Sequence, residues 1–216
     1  MSQRSYEDAC GAALAMDAIG ERWALLIVRE LIFGPKRFRD LRAGLPKASQ
    51  NVLSQRLREL EASGIVRHRQ SGPPVSAPVY ELTDRGRQLE PILLALSRWG
   101  AHEEAPSDAP MSTDAFMLLL KALYRPPADA TPPFTVRLHT GGDTFHVVVG
   151  PAAVEVARGA GAEADVTMAA GVATMREIMF FGRSFQSAVT AGDLEFTGDA
   201  ATAARFFTRF GLPDPS

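Results

Sequence analysis

The stretch Ala48–Gly64, ASQNVLSQRLRELEASG, constrains the chain most. On a helical wheel of about 100° per residue, Leu57 and Leu60 fall within about 40° of Leu53. Asn51, Gln55 and Arg58 fall on the far side, with Ser54 at their edge. One face is apolar; the other carries amides, a hydroxyl and a guanidinium, groups that bond base edges in a major groove. Gly64 ends the helix, as a residue just past a C-terminus often does. Ile65-Val66-Arg67-His68-Arg69 follows as a short basic strand. Taken alone, the pattern also fits an ordinary amphipathic helix with a solvated face.

Charge sharpens the reading. The 216 residues carry a net charge of −2, but Lys36–Arg69 holds nine basic and three acidic residues, net +6. Such clustering is the electrostatic footprint of a polyanion partner. The length suits two domains of about 100 residues each. No apolar run approaches the roughly 20 residues of a membrane span. The N-terminal residues lack an apolar segment of the secretory type. Cys10 is the one cysteine, so an internal disulfide is excluded and a reducing cytoplasm is expected.

The elements come in a telling order. Cys10–Ile19 reads as a helix with Leu14 and Ala18 on one face. Arg22–Phe33 reads as a second, with Trp23, Leu26, Ile27 and Leu31 in a core and Glu30 sharing their spacing. Gly34-Pro35 stops it, and Phe38 and Leu41 anchor a short helix over Arg37–Ala43. After the Ala48–Gly64 helix and the basic strand, Ser71–Pro78 is a loop and Val79–Leu82 a return strand. A long helix then runs from Thr83-Asp84 to about Glu103, with Asp84 as N-cap. This is the order of a winged helix-turn-helix.

Residues 10–102 resemble the HxlR-type transcriptional regulators, winged-helix proteins related to the MarR type. The resemblance is carried by Cys10, Ile19-Gly20, Arg22-Trp23, Leu25–Leu31, Phe33–Leu41, Leu53–Glu61, Gly64–His68, Tyr80–Gly86 and Trp99. It departs at Gly11, where a proline often follows the cysteine, and in the wing, Pro73–Pro78, which is less polar than usual. The resemblance implies a homodimer built through the first and last helices, using Leu14, Leu93, Leu96 and Trp99. The partner it implies is double-stranded DNA with a palindromic operator, read as two half-sites about one turn apart. The expected DNA-binding set is Arg37, Arg39, Lys47, Ser49, Gln50, Asn51, Ser54, Gln55, Arg58, Arg67 and Arg69. Asn51 and Gln55 suit adenine and Arg58 guanine, or any of them phosphate. Arg37, Arg39 and Lys47 suit phosphates, and Arg67 and Arg69 suit the backbone beside the wing. Each cation is alternatively a solvated surface charge, and Arg56 stands between the two faces. In several relatives a cysteine at the position of Cys10 is oxidised with an effect on DNA binding. Here Arg4 is the nearest base, and Asp8, if close, would raise the thiol pKa. The bland alternative is a small apolar residue.

Ala105–Ser112 is a proline-bearing linker to a domain over 113–216. Ala115–Tyr124 reads as an apolar helix, Arg125–Pro133 as a turn, and Phe134–Gly150 as a hairpin. With Gly142-Asp143 as its turn, His139 would face His146, and Phe134, Val136, Leu138, Phe145, Val147 and Val149 would share a buried face. Ala152–Val156 and Asp165–Ala169 extend the sheet; Met175–Phe181, Phe185–Thr190 and Ala200–Phe210 are helices. The tail resembles the sterol-carrier-protein type (SCP2-like) on Asp165–Met168, Met175–Gly182, Ser184-Phe185, Ala188 and above all Ala191–Asp199, AGDLEFTGD. The resemblance implies an α+β domain with a curved, mainly antiparallel sheet and an apolar pocket. Its lining would be Met168, Met175, Met179, Phe180, Phe181, Phe206 and Phe207, the effector an apolar small molecule; otherwise these residues simply fill a core.

The whole chain is thus expected to be α+β, a winged helix-turn-helix over 1–104 and an SCP2-like domain. The His139/His146 pair lacks further ligands, so no metal is expected. His102-Glu103 lacks a second histidine, and no Walker loop, GxSxG or GxGxxG is present. No catalytic residue and no cofactor is expected. Three rivals remain: a redox regulator working through Cys10 with a purely structural tail, a tail that only packs or dimerises, and a lipid carrier with a vestigial first domain.

Overall fold

The computed structural model describes residues 5–72, 77–103, 109–128 and 132–212. The wing tip Pro73–Ser76, Arg4, residues 105–108 of the linker and residues 129–131 of the proline-rich turn lie outside them. The chain forms two compact units, 1–93 and 94–216.

The first unit starts with α1 (Gly11–Ile19) and α2 (Ala24–Leu31). α2 buries Ala24, Ile27, Val28 and Leu31, the i, i+3, i+4, i+7 arc of one helix face. Trp23 and Leu26, expected in the core, are not buried. Trp23 is the N-cap, in the left-handed region at φ 80°, and Leu26 falls on the side opposite the buried arc. Glu30 is instead fully buried. Arg29 Nη2 lies 2.9 Å and Lys36 Nζ 2.8 Å from its carboxylate. Gly44 roofs it, for a Cβ there would sit 2.1 Å from Glu30 Oε2.

α3 (Phe38–Gly44) and α4 (Gln50–Ala62) make the helix-turn-helix. Ser49 caps α4, its hydroxyl accepting from Val52 N. Leu53, Leu57 and Leu60 are buried, as the periodicity predicts. The helix closes in a Schellman turn: Ile65 N donates to Leu60 O, Gly64 N to Glu61 O, and Gly64 takes φ 66°. β1 (Val66–Gln70) and β2 (Pro78–Leu82) pair antiparallel, with Arg67 opposite Glu81.

The long helix expected from 84 to 103 is two helices, α5 (Asp84–Arg87) and α6 (Glu90–Gly100), the latter running across the boundary at 93/94. Pro91 supplies no N–H to the preceding turn, which breaks the ladder and suits a helix start. The N-cap is Thr83 rather than Asp84. Its hydroxyl accepts from Gly86 N and donates to Gly64 O, tying α5 to the end of α4. Gly86 admits no side chain, because a Cβ would meet Ile65 O at 2.2 Å.

The second unit holds α7 (Thr113–Ala122) and a five-stranded sheet in the order β5-β4-β3-β6-β7. Its strands are β3 (Phe134–Thr140), β4 (Asp143–Val149), β5 (Val154–Arg158), β6 (Val166–Ala170) and β7 (Leu194–Gly198). All neighbours are antiparallel except β3 and β6. α8 (Val172–Phe180) and α9 (Phe185–Thr190) lie between β6 and β7, and α10 (Ala200–Thr208) follows.

The hairpin turns at Gly141-Gly142, not Gly142-Asp143. Both glycines have positive φ, 59° and 82°, which a two-residue turn of the mirror-image type requires. Register therefore slides: His139 faces Thr144, and His146 faces Arg137. Moving the turn by one residue shifts the pairing by two positions, so side-chain parity is kept. Phe134, Val136, Leu138, Phe145, Val147 and Val149 are all buried.

The AGDLEFTGD run resolves into structural duties. Gly192 turns at φ 76°, Leu194 is buried, and Asp199 caps α10 by accepting from Thr202 N at 2.7 Å. A Cβ on Gly198 would lie 2.4 Å from Asp165 O. This strand, β7, was not among the expected elements.

Candidate nucleic-acid interface

The site rests on α4, with Ser49 at its N-cap and Arg56 tying the helix to Glu21, between α1 and α2. Ser49, Gln50, Asn51 and Arg58 are exposed, and Ser54 and Gln55 half-buried. Gln55 Nε2 donates to Glu59 Oε1 at 3.0 Å, one turn on. Arg56 is only 15% exposed in its side chain. It pairs with Glu59 and reaches Glu21, between α1 and α2, at 3.1 Å. Its stem is thereby committed to bracing α4 rather than to the outer face.

Arg39 and Lys47 are exposed and Arg37 half-buried, Arg37 forming the N-cap of α3. Arg39 pairs with its neighbour Asp40 at 3.2 Å on the surface, a contact of small energetic weight. On the wing, Arg67 Nε lies 2.6 Å from Glu81 Oε1 and Arg69 Nε 2.8 Å from Glu81 Oε2. Burial by itself would raise the Glu81 pKa, but hydrogen bonds from Arg69 and Arg67 bring it below its ordinary value. His68 stacks on Tyr80 with ring centroids 4.7 Å apart. Lys36 exchanges both backbone hydrogen bonds with Tyr80, which ties the wing to the stretch leading into α3. Glu30, Glu81 and Tyr80 were not among the expected site residues. Glu30 was expected only to share the helical spacing of the α2 core residues, not to be buried with them.

Cys10 is exposed and is the N-cap of α1. The backbone N–H groups of Ala12 and Ala13, in the first turn of α1, lower its thiol pKa, the usual effect of a helix N-terminus. Asp8 accepts from Cys10 N at 2.8 Å, so its carboxylate serves the backbone there.

In the second unit, Met168, Met175 and Phe206 are fully buried and Phe207 nearly so. Met179 and Phe180 are half-buried, while Phe181 is 59% exposed, with the Arg176 guanidinium 5.7 Å from its ring centroid. Phe185, Phe196, Phe206, Phe207 and Phe210 form one aromatic cluster. An open depression of about 380 Å³ is lined by the Gly141-Gly142 turn, its neighbours His139, Thr140, Asp143 and Thr144, and Ala170-Gly171. It includes none of the seven expected pocket residues. Among the described residues no group of His, Cys, Asp or Glu could hold a metal, and no helix is long and apolar enough to cross a membrane.

The HxlR-like helix-turn-helix model matches residues 18–108. The HTH-type transcriptional regulator YvaP of Bacillus subtilis (strain 168) is 43% identical over 94 residues, covering 43% of this chain and 86% of YvaP. The chain belongs to the HxlR family. A second regulator of that organism, YybR, is 41% identical over 95 residues, or 44% of this chain and 75% of YybR. Among solved structures, the redox regulator HypR in its oxidized form is 37% identical, covers 45% of this chain and 100% of its own, and superposes with a TM-score of 0.40. This HxlR protein is therefore a DNA-binding transcriptional regulator of the helix-turn-helix kind.

Proposed function

We propose that this HxlR protein acts as a cytoplasmic homodimeric repressor that reads a palindromic operator with α4. The observation that carries the reading is the outer face of α4, where Asn51 and Arg58 stand exposed while Leu53, Leu57 and Leu60 are buried beneath them. Asn51, Gln55 and Arg58 would meet bases, with Ser49, Gln50 and Ser54 beside them. Arg37, Arg39, Lys47, Arg67 and Arg69 would meet phosphates, which set register. Dimerisation through α1 and α6 is supported by exposed Leu14, Met16, Ile92, Leu96 and Trp99, with Trp99 72% exposed. Leu93, in contrast, is buried and belongs to the protomer's own packing. Sequence selection from a random duplex pool tests the proposal. An inverted repeat with half-sites about one helical turn apart is expected; a single unrepeated site would overturn the dimeric reading.

The domain over 113–216 is assigned to the SCP2-like type, with an apolar small molecule as effector. Its mainly antiparallel sheet, the AGDLEFTGD turn-strand-cap and the Met and Phe side chains of β6, α8 and α10 support this. An effector acts only if it favours one dimer geometry over another. Mass spectrometry of the extracted protein tests it: a retained lipid-like molecule is expected, and repeated extraction without one speaks for a domain that only packs.

A second reading, redox sensing through Cys10, is favoured by the exposed, pKa-lowered thiol at the N-terminus of α1. It predicts that Cys10→Ser abolishes any response of operator affinity to oxidant.

A further inference from the structure

One buried carboxylate holds both arginines of the wing. Glu81 and Arg67 are opposite one another in the β1–β2 register, and Arg69 stands two pairs further, opposite Val79. All three side chains therefore leave the same side of the ribbon. Glu81 is buried, whereas the side chains of Arg67 and Arg69 are 60% and 42% exposed. Each arginine meets the carboxylate through Nε, Arg67 at Oε1 and Arg69 at Oε2. A guanidinium bound along its Nε side keeps terminal N–H groups for another acceptor. One carboxylate also cannot neutralise two guanidiniums, so the cluster keeps a net positive charge.

We propose that Glu81 is a positioning residue for DNA binding, setting the guanidiniums of Arg67 and Arg69 as a preformed pair for the phosphate backbone. The proposal rests on the DNA-binding reading above and adds a residue of the opposite charge to it. Two long side chains free in solvent lose rotamer freedom when they bind. Held by Glu81, they have lost part of it beforehand. The acid thus aids a polyanion ligand, against the sign of its own charge.

That opposition of sign makes the test sharp. Electrostatics alone says that Glu81→Gln, which adds one unit of positive charge, tightens binding to DNA. Positioning says that it weakens binding. Phosphate contacts do not depend on sequence, so the full-length protein can be titrated against a mixed-sequence duplex of about 30 base pairs over a range of salt. For Glu81→Gln the expected result is about a tenfold loss of affinity, with a log–log salt slope shallower by roughly 0.9, one phosphate contact. Arg67→Ala/Arg69→Ala should lower the slope by roughly twice that, and adding Glu81→Gln to this pair should change nothing further. Unchanged or tighter binding by Glu81→Gln, with the wild-type slope, overturns the proposal. So does an undiminished Glu81→Gln effect in the arginine-free background, which would mark a general fault in the wing. If the wild-type protein shows no salt-dependent binding at all, the DNA-binding reading fails, and the proposal with it.

Discussion

Lys36 Nζ lies 2.8 Å from Glu30 Oε2, and the acid it meets is fully buried under Gly44. A buried carboxylate must be paired to be tolerated. Here Arg29 and Lys36 do it together, and the backbone of Lys36 is bonded in turn to Tyr80 of the wing. α2, the entry to α3 and β2 are thus joined by one polar cluster.

Removing one partner of such a cluster is costly. Lys36→Ala leaves Glu30 with Arg29 among its ion-pair partners and is expected to destabilise the protein by about 2 kcal/mol, below the roughly 3–5 kcal/mol for a carboxylate stripped of its partner. Gly44→Ala pushes a methyl group onto the carboxylate and should cost about 1–3 kcal/mol. Urea unfolding measures both; wild-type midpoints would show that the cluster does not bear on stability.

Arg56 and Arg58 lie two positions apart yet should respond differently. Arg56 braces α4 through Glu21 and Glu59, so Arg56→Ala is expected to lower the melting temperature of the protein. Arg58→Ala should leave the melting temperature unchanged and weaken DNA binding. Thermal unfolding of the two variants, side by side, checks the division; equal melting temperatures would contradict the bracing role of Arg56.

Much of this was readable from residue order. The 3.6-residue spacing of Leu53, Leu57 and Leu60 defines both faces of α4, and alternation identifies the buried side of the β3–β4 hairpin. Parity survives a slip of the turn, whereas register does not, so the facing of His139 with His146 was misplaced. Helix periodicity likewise carries no information about a charged residue in the core. Burial of Glu30 depends on Lys36, six residues on, and on the absence of a side chain at Gly44, fourteen residues on. The break between α5 and α6 follows from Pro91 and from the Thr83 cap, whose partner Gly64 O is remote in sequence. The capping position of Cys10 depended on the helix beginning at Gly11, one residue later than periodicity placed it.

The sheet of the second unit should show an acid limb owed to Asp165. Its carboxylate accepts from Thr135 N at 2.7 Å and from Thr135 Oγ1 at 2.9 Å, and these bonds lower its pKa. A group with a depressed folded-state pKa stabilises the fold above its unfolded value, here 3.8, and that contribution is lost as the pH falls through the lower folded value. Asp165→Asn should therefore be less stable than wild type at neutral pH, with the gap closing in acid. Urea midpoints against pH measure this, and a gap independent of pH would contradict it.

Alkylation offers a further check on Cys10. Its exposure and lowered pKa make it the site of first attack by a mild electrophile. Mass spectrometry after brief treatment with an alkylating agent should show single modification of wild type at a rate falling as the pH drops below the thiol pKa. A rate no faster than that of a free cysteine would remove the activated thiol.

Reading of base edges by the outer face of α4 is the central expectation for this protein. Its most direct test is the affinity of Asn51→Ala and Arg58→Ala for the selected operator and for an unrelated duplex, at one salt concentration. Each variant is expected to lose about 1–3 kcal/mol on the operator and little on the unrelated duplex. An equal loss on both duplexes, or none on either, would contradict base reading by α4.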